Sequence, residues 1–285
     1  MCVGTNASFN FALYFEIISM TEILDLAIRA AIEAGEGIMT IYTDPNSDFG
    51  IERKSDNSPL TVADKKSHDI IMSYLEKTEF PILSEEGKHM PYEERKDWTT
   101  LWIVDPLDGT KEFIKRNGEF TVNIALVSDG IPILGVIYLP VKRILYYGSK
   151  STGSFKIEIP ENANKNYVFE NQEHAILLPE KEEGRRFRIV ASRSHCSDET
   201  KAFIENLEKK HGEAELVSSG SSIKICMVAD GSADIYPRFA PTMEWDTAAG
   251  HAIALYAGKQ IYQQDNINPL TYNKENLLNP YFIVR

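Results

Sequence analysis

Cysteine is scarce in this chain: Cys2, Cys196 and Cys226 are the only three in 285 residues. They lie far apart and no pair has C-x-x-C spacing, so neither a disulfide framework nor a cysteine zinc site is signalled. A reducing, cytoplasmic setting is expected. Cations are also short: 30 lysines and arginines face 42 aspartates and glutamates, a formal net charge of −12. That sign disfavours a nucleic-acid binder, which needs its own cations to displace counterions from phosphates. A phosphorylated small molecule stays open as a partner, because divalent cations reverse the local sign of an acidic cleft. No Lys or Arg precedes Arg29, and Glu16 interrupts the apolar stretch of the first twenty residues. A secretory signal wants a basic start and an unbroken apolar core, and a membrane span takes about 20 apolar residues. Residues 1–20 therefore read as an N-terminal extension, with a cleaved presequence as the lesser alternative.

What is present is a globular mixture, 43% hydrophobic and 25% charged, long enough for one large domain or two moderate ones. A helix is expected over residues 21–42, capped by Thr21, with Ile23, Ala27, Ala30, Ala31, Ala34 and Ile38 at helical spacing. A second is expected from Thr61 to about Lys77. The pattern then turns to strands at 81–83, 101–104, 120–127, 131–139 and 143–147, with a hairpin signal at Asp129-Gly130. Residues 158–184 are polar and read as a loop or insertion. Alternating elements follow: strand 188–191, helix 198–211, strand 215–217, helix 221–229, strand 233–236. A helix at 247–257 and a strand at 281–284 close the chain. An α+β sub-domain over 21–155 and an α/β sub-domain over 156–285 are expected.

The sharpest feature is Trp102-Ile103-Val104-Asp105-Pro106-Leu107-Asp108-Gly109-Thr110. An apolar strand delivers Asp105, Pro106 breaks the ladder, and Asp108 returns at an expected helix start, where Gly109 permits close backbone approach. Two carboxylates on one tight turn repel unless a cation sits between them. Oxygen donors of this kind select Mg²⁺, Mn²⁺ or Ca²⁺. The D-x-x-D spacing excludes the D-x-D of haloacid-dehalogenase phosphatases. An EF-hand counted from Asp105 would want Gly where Thr110 stands, and Asp, Asn or Ser where Leu107 stands. Ser84-Glu85-Glu86 and Glu244-Trp245-Asp246-Thr247 place further carboxylates at a strand end and a helix start. Seen singly they also read as a solvated turn and an N-cap, and Asp64, three residues after Thr61, reads as a first-turn helix acid.

Together these segments resemble the lithium-sensitive, magnesium-dependent phosphatase superfamily that includes inositol monophosphatase. Its signature is a Glu-bearing turn, then D-P-I/L-D-G-T, then W-D-x-A-A-G. Here stand Ser84-Glu85-Glu86, Asp105-Pro106-Leu107-Asp108-Gly109-Thr110 and Trp245-Asp246-Thr247-Ala248-Ala249-Gly250, in that order. The runs Asp56-Asn57-Ser58-Pro59, Gly109 to Leu126, Ser192-Arg193-Ser194-His195 and Tyr236-Pro237-Arg238-Phe239 are similar to its 3'(2'),5'-bisphosphate nucleotidase branch. The resemblance covers residues 21–285.

It implies a layered αβαβα sugar-phosphatase fold, with an α+β half carrying metal and an α/β half carrying nucleotide. It implies metal ligation by Glu85, Asp105, Asp108, Asp246 and the Leu107 carbonyl, for two or three Mg²⁺ ions, with Li⁺ inhibitory. Asp64 and Thr110 become the pair that activates the attacking water, with no phospho-enzyme. Gly109 and Thr110 go to the scissile phosphate, and His195, Gly220, Ser221, Lys224 and Arg238 to the nucleotide. The implied reaction removes the 3'-phosphate of adenosine 3',5'-bisphosphate, or of its sulfated form, by a monomer or homodimer without membrane or nucleic-acid partners. An inositol-phosphate or sugar-bisphosphate phosphatase, and a silent metal- and nucleotide-binding regulator, are the alternatives.

Overall fold

The computed structural model describes residues 6–53, 59–164, 166–180, 184–191 and 197–285, with side chains from residue 20 onward. Helix α1 (Asn6–Tyr42) begins well before Thr21. No Gly or Pro stands between residues 6 and 20, so nothing local stops the helix, and Thr21 lies inside it rather than capping it. The expected face of Ala27, Ala30, Ala31, Ala34 and Ile38 is buried. After an antiparallel pair of short strands, β1 (Glu52–Arg53) and β2 (Pro59–Leu60), helix α2 (Val62–Leu75) packs on α1.

The main sheet is formed by β3 (Ile82–Ser84), β4 (Thr100–Asp108), β5 (Thr121–Ser128), β6 (Ile131–Leu139), β7 (Ile144–Ser149), β8 (Gly153–Glu158) and β9 (Ile176–Leu177), in that order across the sheet. Only β3 and β4 run parallel. Short helices α3 (Tyr92–Arg95), α4 (Thr110–Ile114) and α5 (Tyr167–Glu170) lie in its connections. Asp129-Gly130 makes the expected hairpin turn between β5 and β6. Strands β8 and β9 were not expected: they fall in or beside the stretch read as a loop, and carry the sheet across residue 155. Gly153–Glu158 is too polar to announce a strand, and what holds it is distant, including Ser154 Oγ donating to the Ile253 carbonyl at 2.8 Å.

In the second half come β10 (Arg188–Val190), α6 (Asp198–His211), β11 (Glu215–Val217), α7 (Ile223–Ala229), β12 (Tyr236–Arg238), α8 (Glu244–Tyr256), β13 (Ile261–Gln263) and β14 (Phe282–Val284). Strands β10 and β11 are parallel, and β12-β14-β13 form an antiparallel set. At three places the second half departs from expectation by more than two residues. Strand β12 lies after residues 233–236, of which it keeps only Tyr236; β13 was not expected; and α8 starts three residues before Thr247. Its first residue, Glu244, is fully buried, and its carboxylate accepts from Asn273 N at 2.6 Å and from Lys274 N at 3.0 Å. Partners thirty residues away set that helix start.

Alternation sorts the layers. Trp102, Val104, Val122, Ile124, Val136 and Tyr138 face α1 and α2, whereas Leu101, Ile103, Ala125, Val127 and Ile137 face α7 and α8. Beyond α7 and α8 lie the small sheets, with α6 outermost over Ile189, Ile235 and Ile283. The layering is αβαβα.

Candidate active site

Strand β4 carries an irregularity at its end. Asp105 pairs with Asn123 and Asp108 with Thr121, three steps against two. On a regular strand residues 105 and 108 would face opposite ways; one extra residue turns both carboxylates to the same side. Pro106, with no N–H to donate, sits in the bulge, and its carbonyl accepts from Ser67 Oγ at 2.6 Å. Leu107 N–H turns back to Asp105 Oδ1 at 3.0 Å.

Asp246 joins them from the first turn of α8, its Oδ2 accepting from Met243 N–H at 2.8 Å. Single carboxylate oxygens of Asp105, Asp108 and Asp246 lie within 4.8 Å of one another. Burial drives the Asp105 carboxyl well above the usual range, and the charges of Glu85, Asp108 and Asp246 push it further. Asp246 is raised in the same way, by burial first and then by Asp108. Glu85 stands at the end of β3, its N–H on the Val104 carbonyl at 3.1 Å and its side chain at hydrogen-bonding reach of Asp105. It flanks the three-aspartate cluster without belonging to it. A crowded, all-oxygen donor set of this kind, with Asp105 buried and Asp108 and Asp246 half-buried, fits a hard divalent cation.

Asp64 serves two partners. Its Oδ2 accepts from Thr61 N at 2.7 Å, closing a capping box on α2, while Oδ1 accepts from Thr110 Oγ1 at 3.1 Å. The first-turn acid and the partner of Thr110 are thus one residue. The Leu107 carbonyl lies 3.4 Å from Thr110 Oγ1. Gly109 has φ +97°, and a Cβ there would stand 3.1 Å from the Glu119 carbonyl, so the turn into α4 needs glycine.

A cleft of about 600 Å³ opens beside this cluster, and Asp108, Gly109 and Asp246 line it together with Gly220, Ser221, Lys224 and Arg238. Lys224 is 7% exposed; its Nζ donates to the carbonyls of Ser221 at 2.7 Å and Ser219 at 3.2 Å. Burial lowers its pKa to about 8, and Arg238 adds to the lowering. Arg238 donates to the Pro241 carbonyl at 3.2 Å, while its buried Nε has no partner among the described residues. The expected His195 lies outside the described residues. Four lining or supporting side chains were not singled out from sequence: Tyr236, whose ring lies 5.7 Å from Lys224 Nζ, and Thr121, Asn123 and Ser222 behind Asp108. Tyr236 and Asn123 fall inside the runs quoted for the resemblance; Ser222 left no local signal.

Comparison with known proteins fits this geometry. The chain is 42% identical to the 3'(2'),5'-bisphosphate nucleotidase CysQ of Shigella flexneri, over 92% of this chain and 98% of that one. It is 43% identical to the CysQ nucleotidase of Escherichia coli strain K12, with the same coverage. A crystal structure of CysQ from Bacteroides thetaiotaomicron, described as a bacterial member of the inositol monophosphatase family, superposes with a TM-score of 0.83 at 56% identity, covering 96% of this chain and 98% of that one. The model of the inositol monophosphatase family matches residues 19–280, and the chain belongs to that family.

Proposed function

We propose that this protein is a metal-dependent 3'(2'),5'-bisphosphate nucleotidase that removes the 3'-phosphate of adenosine 3',5'-bisphosphate to leave AMP. The carrying observation is the convergence of Asp105, Asp108 and Asp246 beside a cleft whose wall holds four cations, Lys111, Lys115, Lys224 and Arg238. The similarity to curated nucleotidases supports the substrate class. Asp105, Asp108 and Asp246, with Glu85 and the Leu107 carbonyl beside them, would hold Mg²⁺. When bound, the cations supply the charge that acidifies water and offsets negative charge growing on the leaving ribose oxygen.

The chain's own residues do the rest. Thr110 donates its hydroxyl proton to Asp64, which leaves Oγ lone pairs to accept from a water and fix its line of approach. As attack proceeds the water's proton passes to Thr110 and the threonine's proton to Asp64. No side-chain nucleophile is needed, since positioning and electrostatics supply most of the barrier lowering in phosphoryl transfer. Gly109 lets the backbone approach the scissile phosphate. Gly220, Ser221, Lys224 and Arg238 receive the rest of the nucleotide, Arg238 offering a bidentate fork to its 5'-phosphate.

The test is phosphate release from adenosine 3',5'-bisphosphate, its sulfated form and inositol 1-phosphate, with Mg²⁺ varied and Li⁺ added. Turnover of the bisphosphate well above inositol 1-phosphate, dependent on Mg²⁺ and suppressed by Li⁺, is expected. Preference for the inositol ester would return the cleft to the alternative reading.

A further inference from the structure

A serine at a helix N-cap ordinarily turns its hydroxyl onto the first N–H groups of the helix. Ser222, the N-cap of α7, makes no such bond. Its side chain is 3% exposed, and Oγ lies 2.7 Å from Asp108 Oδ2 and 2.7 Å from the Asp246 carbonyl. A relay from β5 sets the direction of the bond. Thr121 Oγ1 donates to Asn123 Oδ1 at 2.9 Å, which turns the Asn123 amide nitrogen onto Ser222 Oγ, also at 2.9 Å. With a donor arriving from Asn123, the serine's own proton points away from it. Of its two acceptors the carboxylate carries the charge and draws that proton.

Each of the three clustered aspartates has at least one oxygen held, Asp105 also meeting the Glu85 side chain. Leu107 N–H holds Asp105 Oδ1 at 3.0 Å and Met243 N–H holds Asp246 Oδ2 at 2.8 Å, both from backbone of the same turn. Asp108 Oδ2 is held by a side chain from the other half of the molecule, with Asn123 Nδ2 farther off at 3.4 Å. We propose that Ser222 is a positioning residue for the cation centre: it presents Asp108 through a single oxygen and so biases the centre toward Mg²⁺ over Ca²⁺. Mg²⁺ demands a small octahedral shell, whereas the larger shell of Ca²⁺ takes carboxylates through one oxygen or both. The inference rests on the reading of Asp105, Asp108 and Asp246 as ligands of a divalent cation.

Full-length protein stripped with chelator is titrated with Mn²⁺ by electron paramagnetic resonance, and bound Mn²⁺ is then displaced with Mg²⁺ or Ca²⁺. The proteins compared are wild type, Ser222→Ala and Ser222→Thr. Ser222→Ala is expected to weaken Mg²⁺ about tenfold and Ca²⁺ by less than about threefold, in line with the cost of removing a group that orients a metal ligand. Ser222→Thr keeps the hydroxyl and restores the Mg²⁺ affinity. Should alanine unfold the protein, Ser222→Cys fills the same space with a weak donor and is expected to shift the two ions in the same directions. Equal losses for both ions, unchanged Mg²⁺ affinity or no rescue by threonine overturns the role of Ser222 alone. A wild type that binds no Mn²⁺ overturns the cation centre and this inference with it.

Discussion

Asp64 sits where a structural and a chemical duty meet. One carboxylate oxygen closes the capping box of α2, and the other takes the Thr110 hydroxyl. Asp64→Asn separates the two, because an amide oxygen can still accept one hydrogen bond but the group cannot take up a proton at neutral pH. The expected outcome is a fall in kcat of about 10²-fold or more, with the Mn²⁺ affinity near that of wild type. Stopped or quenched phosphate-release assays at saturating Mg²⁺ read the first, and metal titration reads the second. Full retention of kcat would remove Asp64 from proton transfer. At this scale the sequence was informative about acids and poor about what holds them. Asp105, Asp108 and Asp246 were legible because their motifs pack chemistry into a few consecutive residues. Ser222 and Asn123 were not, since each acts on a carboxylate about 15 or 114 positions away in the chain.

Helix α8 delivers Asp246, and its buried face contains a histidine outside the cluster. His251 is fully enclosed; Nε2 meets Gln260 Oε1, and Nδ1 lies 3.0 Å from the Tyr272 hydroxyl. Ile261 N–H also donates to Gln260 Oε1, at 2.8 Å, which marks that atom as oxygen and places the imidazole proton on Nε2. Nδ1 is left to accept from Tyr272, so the network is satisfied by the neutral ring. Burial lowers the His251 pKa to about 4, with the Gln260 bond opposing in part. The folded state therefore binds fewer protons than the unfolded one between about pH 6.5 and 4, and stability drains as pH falls through that window. The whole effect is roughly 3 kcal/mol. Urea unfolding of metal-free wild type and His251→Gln at several pH values measures it: the wild type should lose stability more steeply toward acid, and parallel curves would refute the assignment. Elements themselves divide by how local their causes are. Helix α6 and strand β11 fell within a residue of expectation, their caps and apolar spacing lying in the segment. Strand β8 and the start of α8 did not, since Ser154 and Glu244 take their partners from residues 253 and 273–274.

On the scale of the whole molecule, the carboxylate cluster joins two halves that are otherwise separate in sequence. Asp105 and Asp108 come from the main sheet, Asp246 from a helix layered beneath it; Asp105 feels the charges of Asp108 and Asp246, and Asp246 that of Asp108. Removing divalent cations should thus loosen the entire fold, and restoring them should tighten it. Mg²⁺ at 100 times its dissociation constant adds about 2.7 kcal/mol, which is expected to raise the thermal midpoint by several degrees over protein in chelator. The shift should be small in Asp108→Asn, and an equal shift there would place the stabilising ion elsewhere. The order of layers was readable in outline, because alternating apolar residues on β4, β5 and β6 serve helices on both faces. The extent of the sheet was not, for its last two strands are polar or very short.

The extra residue in β4 has a consequence for how this chain tolerates change in length. Shortening the 105–108 turn by one position would remove the bulge and leave the two aspartates still on one face, but it would take away the kink that carries the Pro106 carbonyl onto Ser67 Oγ and Leu107 N–H onto Asp105 Oδ1, although every acid in the motif would remain. Spacing here is as restrictive as chemistry: a single-codon deletion at Pro106 or Leu107 should disarm the protein as thoroughly as replacing an aspartate.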